Sequence, residues 1–234
     1  MGAQIVLKNV WKIFEKPKKF TALQDVSLEI NPGEFVLILG PTGSGKTTLL
    51  NVIAGIERPS RGTVLIENRN LADLSEEALA EFRRRNFGIV FQFFNLLPHL
   101  TALENVMVPL LVEKELSIKR IRQKATKLLE ELGLAEKLYH YPRELSGGEQ
   151  QRVAIARAII SDPKIIIGDE PIAHLDEESA RMVLDIFRRL NREGRTIIIA
   201  TTHEALVRML QDVLTKVVRL RNGRIANIRV LRRR

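Results

Sequence analysis

A chain of 234 residues with no cysteine excludes disulfide staples, thiolate catalysis and cysteine-ligated zinc, and it is long enough to bury a core without them. Its longest apolar runs, such as Ile165-Ile166-Ile167 and Ile197-Ile198-Ile199-Ala200, fall far short of the ~20 residues a membrane-crossing helix needs. The net charge of +9 sits in clusters at Lys16, Lys18 and Lys19, at Arg83, Arg84 and Arg85, and at Arg229, Arg232, Arg233 and Arg234; aromatics make up only 5% and none interleaves the tail, so nucleic acid is not an expected partner. For the tail itself, solubility, attraction to anionic headgroups and nucleic-acid contact stay open as readings. The opening Met1-Gly2-Ala3-Gln4-Ile5-Val6 lacks a charged-then-apolar signal pattern and has Val6 where a myristoylation site wants Ser or Thr, so no targeting segment is expected.

In chain order, residues 5–14 and 22–30 alternate partially and are rich in β-branched side chains, which predicts two strands joined by a charged loop. Asn31-Pro32-Gly33 signals a turn before the apolar run Phe35-Val36-Leu37-Ile38-Leu39, a third strand. Then comes Gly40-Pro41-Thr42-Gly43-Ser44-Gly45-Lys46-Thr47, which spells G-x-x-x-x-G-K-[ST] between that strand and a predicted helix, Thr48-Leu49-Leu50-Asn51-Val52-Ile53-Ala54. Glycines there let backbone N–H groups approach phosphate oxygens at the positive end of a helix. Lys46 supplies a point charge for the β and γ phosphates, the Thr47 hydroxyl is placed to ligate Mg²⁺, and Thr48 adds an α-phosphate contact.

Gly55 is a helix stop, residues 62–67 form a short strand, and Ser75 caps a helix to about residue 85 with Glu76 and Glu77 in its first turn. Residues 88–92 read as a strand ending in Gln92. Thr101-Ala102-Leu103-Glu104 fits a capping box, residues 118–132 a charged amphipathic helix, and Gly133 its stop, so residues 93–162 read as a mostly helical insert in a strand–helix scaffold. The scaffold resumes with a strand at 164–168, a helix at 177–193 with Val183, Ile186, Phe187 and Leu190 on one face, a strand at 196–201 and a helix at 204–211. Two last runs, 215–221 and 224–230, flank Asn222-Gly223, the preferred dipeptide of a two-residue hairpin.

Ile165-Ile166-Ile167-Gly168-Asp169-Glu170 places two carboxylates at the C-terminal end of a buried strand, where open α/β sheets bind ligands. Asp169 suits Mg²⁺ and Glu170 suits proton abstraction from a water; an acidic cap on the following helix is the alternative. His203, at the end of a later strand, is a candidate donor to a γ-phosphate oxygen.

Leu145-Ser146-Gly147-Gly148-Glu149-Gln150-Gln151-Arg152 joins a capping box to a glycine-rich helix start, a second anion site. It resembles the signature motif of the ABC ATPases, and the other parts follow that family's order over essentially the whole chain. These are the phosphate loop, the Q-loop Gln92, the signature, the strand to Asp169 with Glu170, the D-loop Ala173-His174-Leu175-Asp176 and the switch His203. The resemblance implies an α/β P-loop ATPase: one domain over 1–234, with a mostly parallel core sheet and an N-terminal antiparallel β subdomain in 1–92 and 163–234, and a helical subdomain at 93–162. It implies ATP and Mg²⁺ as ligands, Mg²⁺ being held by Thr47, Gln92 and Asp169, and Glu170, His203 and Gln92 as catalytic groups.

It also implies a head-to-tail dimer in which Ser146, Gly147, Gly148, Glu149 and Gln150 of one copy close on the ATP held by the other. Phe14 resembles the adenine-stacking aromatic, with core packing as the alternative. The implied setting is cytoplasmic, on the inner face of the membrane, with a permease-like membrane subunit as partner. The run from Phe91 through Val106 is similar to the lipoprotein-release and macrolide-export ATPases, while Gly55-Ile56-Glu57-Arg58-Pro59-Ser60 resembles the cell-division ATPase, which signals without transport. The apolar residues after Gln92 suit either a groove for a partner helix or core packing. Two departures stand out: Ile172-Ala173-His174 where close relatives have Thr-Gly-Asn, and Glu204 where Asp commonly follows the switch histidine.

Overall fold

The computed structural model describes residues 4–113 and 115–231; Met1, Gly2 and Ala3 of the N-terminal reading and Arg232, Arg233 and Arg234 of the basic tail lie outside the described residues. In chain order the elements are β1 (Ile5–Phe14), β2 (Phe20–Ile30), β3 (Phe35–Leu39), α1 (Lys46–Ile53), β4 (Arg61–Ile66), β5 (Arg69–Asn70), α2 (Glu76–Asn86), β6 (Phe87–Val90), α3 (Ala102–Met107), α4 (Ile118–Glu131), α5 (Gly147–Ile159), β7 (Ile165–Asp169), α6 (Glu177–Arg192), β8 (Thr196–Thr201), α7 (Ala205–Met209), β9 (Lys216–Arg221) and β10 (Arg224–Val230). They fall into two units, Met1–Arg83 with Leu190–Arg234 and Arg84–Arg189, the divisions lying inside α2 and α6. Residues 93–162, the expected helical insert, lie within the second unit and carry α3, α4 and α5.

In the first unit, alternation along β1 decides the antiparallel sheet of order β2-β1-β4-β5. Ile5 and Leu7 are buried and face Ile30 and Leu28 on one side and Ile66 and Val64 on the other, so each strand contributes one apolar face. Strand β3 has no such alternation because it is covered on both faces: all five of its residues are buried, and it runs parallel to both β8 and β9. Asn222 and Gly223 have φ of 49° and 74°, and β10 returns antiparallel to β9, which is the expected hairpin. Polar groups fix the end of the unit opposite the phosphate loop: Gly33 N–H donates to Thr196 Oγ1 at 2.8 Å, and Asn191 Nδ2 donates to the carbonyls of Gly33 and Arg195 at 3.0 and 2.9 Å.

In the second unit β6 and β7 pair in parallel. The capping box at α3 forms as read, with Thr101 N–H donating to Glu104 Oε2 at 2.8 Å and Glu104 N–H to Thr101 Oγ1 at 3.3 Å. Ser117 caps α4, which buries Ile121, Ala125 and Leu129 along one stripe, and Gly133 ends it at φ 72°. Several boundaries differ from the sequence reading. Strand β6 stops at Val90, two residues before Gln92, because Phe94 and Asn95 turn the chain at φ of 53° and 49°. Strand β7 extends to Asp169, α1 starts at Lys46, and α7 is only five residues long because Leu210 leaves helical geometry at φ −102°, ψ 12°.

One polar side chain anchors the loop ahead of α3. Asn105 is wholly buried; its Nδ2 donates to the carbonyls of Leu97, Leu100 and Thr101 at 3.0–3.1 Å, and its Oδ1 accepts from Leu97 N–H at 2.7 Å. Asn105→Ala strands those backbone groups at about 1–3 kcal/mol for each one left buried without a partner. The urea midpoint of the variant is expected to fall clearly below that of the parent chain; an unchanged midpoint would contradict this role.

Candidate functional site

The phosphate loop leaves β3 at Leu39 and enters α1 at Lys46, and the rest of its unit supports it from outside. Gly45 sits at φ +100°, where side chains are strained, and a Cβ there would lie 2.6 Å from the Ala22 carbonyl of β2. The hairpin turn adds a tie, with Gly223 N–H donating to Ser44 O at 2.9 Å. Lys46 is 7% exposed, and its Nζ donates to the loop's own Gly40 and Pro41 carbonyls at 2.9 and 3.2 Å, so the ammonium lies over the loop it belongs to.

Two features suit this loop to an anion. Helix α1 has Gly45 as its N-cap, with no side-chain cap and no acidic residue in its first turn, so its positive end carries no opposing charge from that turn. The Ser44 hydroxyl is buried without a hydrogen-bond partner among the described residues, an acceptor and donor unused by the protein itself. Pro41, Thr42, Gly43 and Thr47 line the open side and are exposed, while Thr48 is half-buried.

Phe14, the candidate base-stacking ring, is half-buried in the same unit. It stacks on Phe20, with centroids 5.1 Å apart and planes 17° from parallel, and the Lys12 ammonium lies over it at 4.9 Å from the centroid. His203 is exposed just beyond β8, where its N–H donates to the buried Thr201 Oγ1 at 3.0 Å. The next residue, Glu204, meets Arg219 of β9 through both carboxylate oxygens, and this hydrogen bonding holds its carboxyl below the ordinary range. A shorter Asp would have less reach toward that guanidinium, so the departure at 204 has a local partner.

The remaining candidates lie in the second unit, grouped about α5. Ser146 caps the helix with a complete box: Ser146 N–H donates to Glu149 Oε2 at 2.8 Å, and Glu149 N–H to Ser146 Oγ at 3.3 Å. The box occupies those two N–H groups, and the first-turn N–H groups of Gly147 and Gly148 have no partner position inside the helix. Gln150 Nε2 donates back to Leu145 O at 3.0 Å. Gly148 lies flush against α6, where a Cβ would run into Ser179 Oγ. Ser179 is itself held by Asp176, its N–H and Oγ donating to the two carboxylate oxygens at 2.9 and 2.7 Å; the backbone bond, then the hydroxyl, lowers the Asp176 pKa.

Asp169 is the half-buried last residue of β7. Glu170 follows at φ 46° and is 9% exposed, a left-handed conformation that costs a non-glycine residue about 1–3 kcal/mol. Neighbours hold it there. Ala173 N–H donates to Glu170 O at 3.1 Å, and the buried Gln151 of α5 donates from Nε2 to Pro171 O at 2.7 Å. Gln92 is half-buried past the end of β6, and the strained residues after it are gripped by Arg157, which donates to the Phe94 and Asn95 carbonyls at 2.9 and 2.6 Å. Sequence reasoning missed Gln151, Arg157, Arg219 and Phe20. Gln151 and Arg157 act on carbonyls far away in sequence, Arg219 meets Glu204 only across the fold, and Phe20 acts through its register with Phe14, so only the fold brings each to its partner.

A phosphate loop opening an uncapped helix, a strand-terminal Asp–Glu pair and a second, glycine-rich helix start are the parts of a P-loop nucleoside triphosphatase. The comparisons narrow this class. The profile of the ABC transporter family matches residues 23–173. An ABC transporter ATP-binding protein of Methanocaldococcus jannaschii is 46% identical over 96% of this chain and 98% of its own length. The lipoprotein-releasing system ATP-binding protein LolD of Pseudomonas syringae pv. tomato is 43% identical over 95% of this chain and 97% of its own length. The macrolide export ATP-binding/permease protein MacB of Bdellovibrio bacteriovorus is 40% identical over 94% of this chain, which spans 33% of that longer protein. The ATP-binding cassette MJ0796, solved as a dimer in a post-hydrolysis state with ADP and Pi, superposes with a TM-score of 0.89 at 38% identity, covering 97% of this chain and 99% of the cassette. The chain therefore belongs to the ABC transporter ATP-binding family and is an ABC ATPase of the LolD and MacB type. The mixed α/β fold expected from the sequence is the fold of these cassettes.

Burial raises the Glu149 pKa, but the Ser146 N–H, the Ser146 hydroxyl and the Lys137 ammonium at 3.4 Å outweigh it and hold the carboxyl below the ordinary value. A depressed folded pKa gives stability that is present above the unfolded value, about 4.3 for Glu, and lost as pH falls through the folded one. Urea midpoints are expected to hold near neutral pH and drop below about pH 4, with a shallower drop in Glu149→Gln. Identical acid limbs in the two proteins would remove Glu149 from that linkage.

Proposed function

We propose that the chain is the ATP-driven subunit of a membrane complex of the lipoprotein-release or macrolide-export kind. Two copies close head to tail on ATP, at the cytoplasmic face of the membrane, against a permease-like subunit. The observation that carries this reading is an identity of 43% to a LolD protein and 40% to a MacB protein over 95% and 94% of the chain. The dimeric state of the solved cassettes supports the paired arrangement. Among the described residues no helix is long and apolar enough to cross a membrane, so the reading assigns the crossing to the partner.

In this reading Gly40, Pro41, Thr42, Gly43, Ser44 and Gly45 cradle the phosphates through backbone N–H groups and the Ser44 hydroxyl, Lys46 exchanges its loop carbonyls for the β and γ oxygens, and Thr48 reaches the α phosphate. Phe14 faces the base. Thr47, Gln92 and Asp169 offer a hydroxyl, an amide oxygen and a carboxylate, hard donors in the small number that Mg²⁺ takes alongside phosphate oxygens. When bound there, Mg²⁺ neutralises charge on the phosphates. Glu170, held in its left-handed conformation by its neighbours, accepts a proton from the attacking water, and His203 donates to a γ-phosphate oxygen. Ser146, Gly147 and Gly148, with Glu149 and Gln150 behind them, complete the site of the second copy, and Asp176 shapes the adjoining contact. Residues 93–162 serve as the helical subdomain.

Glu170→Gln keeps the shape of the side chain and removes the base, so single-turnover hydrolysis should slow by about 10²- to 10⁴-fold while ATP affinity and the ATP-dependent dimer on gel filtration persist. Near-normal turnover takes Glu170 out of the role. Lys46→Ala should instead weaken ATP binding itself, and an unaltered dissociation constant would contradict the phosphate-loop assignment.

A further inference from the structure

We propose that Phe20 is a second base-stacking residue and presents the exposed face of a two-ring platform whose inner ring is Phe14. The inference rests on the assignment of Phe14 to the nucleobase. Three observations carry it further, to a residue that the motif pattern does not mark.

First, the two phenylalanines are direct cross-strand partners at the end of the β1–β2 pair where residues 15–19 join the strands, and their rings lie 5.1 Å apart and 17° from parallel. Such a pair behaves as one extended aromatic surface. Second, the inner ring is already engaged. Phe14 carries Phe20 against it and the Lys12 ammonium over it, and that ammonium is fixed by Glu57 Oε2 at 2.6 Å and the Arg58 carbonyl at 3.0 Å. The ring with most of its surface in water is Phe20, at 55% exposure against the half-buried Phe14. An exposed phenylalanine on its own needs no explanation, but one laid parallel on the candidate base-stacking ring offers a flat apolar surface at that place.

Third, β2 leads from Phe20 through Thr21 to Ala22, whose carbonyl abuts Gly45 of the phosphate loop. At about 3.3 Å per residue the platform stands roughly 7 Å from that contact, within reach of a ribose bridging phosphate and base. Neither ring has a hydrogen-bonding group, so the platform grips the face of a purine and leaves its edge unread; adenine and guanine gain alike from it.

The test uses the full chain and equilibrium binding of three probes, ATP, GTP and inorganic tripolyphosphate, to the parent, Phe20→Ala, Phe20→Trp and Phe14→Ala. Because Phe20 is mostly exposed, its truncation leaves the core intact, which the thermal midpoint verifies. Phe20→Ala is expected to weaken ATP and GTP by about 5- to 100-fold, the range of one lost base–aromatic stack, while tripolyphosphate affinity stays unchanged and tryptophan restores nucleotide binding. If Phe20→Ala binds ATP like the parent while Phe14→Ala is weakened, the platform is a single ring and the inference fails, with the Phe14 assignment left standing. If neither variant is weakened, the Phe14 assignment fails too. An equal loss for tripolyphosphate would overturn the stacking role by locating the effect in the phosphate loop.

Discussion

The grip of helix α5 on two loops and on the start of α6 is the constraint on which the second unit depends. Gln151 holds the Pro171 carbonyl, Arg157 holds the carbonyls of Phe94 and Asn95, and Gly148 lets Ser179 close against the helix start. Each contact fixes a segment next to a candidate site residue, namely Glu170, Gln92 and Asp176. Two of those segments include residues at positive φ without glycine, at 94, 95 and 170, each costing about 1–3 kcal/mol. Hydrogen bonds from a charged donor contribute about 1.5–3 kcal/mol, enough for the Arg157 pair to offset the strain at 94 and 95. Burial pulls the Arg157 pKa below its ordinary value, the mark of a charge taken out of water, and its two carbonyls replace part of that lost hydration. The conformations around the candidate catalytic groups are thus imposed by α5 rather than preferred by their own residues.

The first unit solves a related problem with backbone alone. Backbone N–H groups that face an anion cannot also hold a loop in shape, and within this loop the Ser44 N–H donates to the Pro41 carbonyl at 3.1 Å. The shape is set from behind, by the Ala22 carbonyl packed on Gly45 and by the bond from Gly223 N–H to Ser44 O. Lys46 is the adjustable part: its ammonium rests on two loop carbonyls, and both contacts are hydrogen bonds that phosphate oxygens can replace.

What the sequence made legible is what short range determines. The boxes at Thr101 and Ser146, the Gly133 stop and the Asn222-Gly223 hairpin each involve residues within a few positions of one another, and all are present in the structure. The buried face of α6, with Val183, Ile186, Phe187 and Leu190, follows from helical period alone. The supporting contacts were not legible. Gln151 and Pro171 are 20 positions apart, Arg157 and Phe94 are 63 apart, and nothing in a single sequence pairs them. Phe94 also hid the end of β6, since a left-handed phenylalanine has no turn signature. Phe20 escaped because its significance comes from its cross-strand register with Phe14.

The departures from the family pattern become intelligible on the same terms. His174 stands where close relatives carry Asn, and its ring stacks on Phe93 with centroids 5.7 Å apart and planes 17° from parallel. Phe93 directly follows Gln92, so the unusual residue joins the segment after Gln92 to the segment after Glu170 through side chains. Asn could not make that contact, because it has no ring to lay on the phenylalanine. Glu204, longer than the commoner Asp, likewise reaches Arg219 across from β9. At both positions the substitution adds a neighbour beside a candidate site residue, so the departures adjust how that residue is held and leave intact the functional groups that would handle nucleotide.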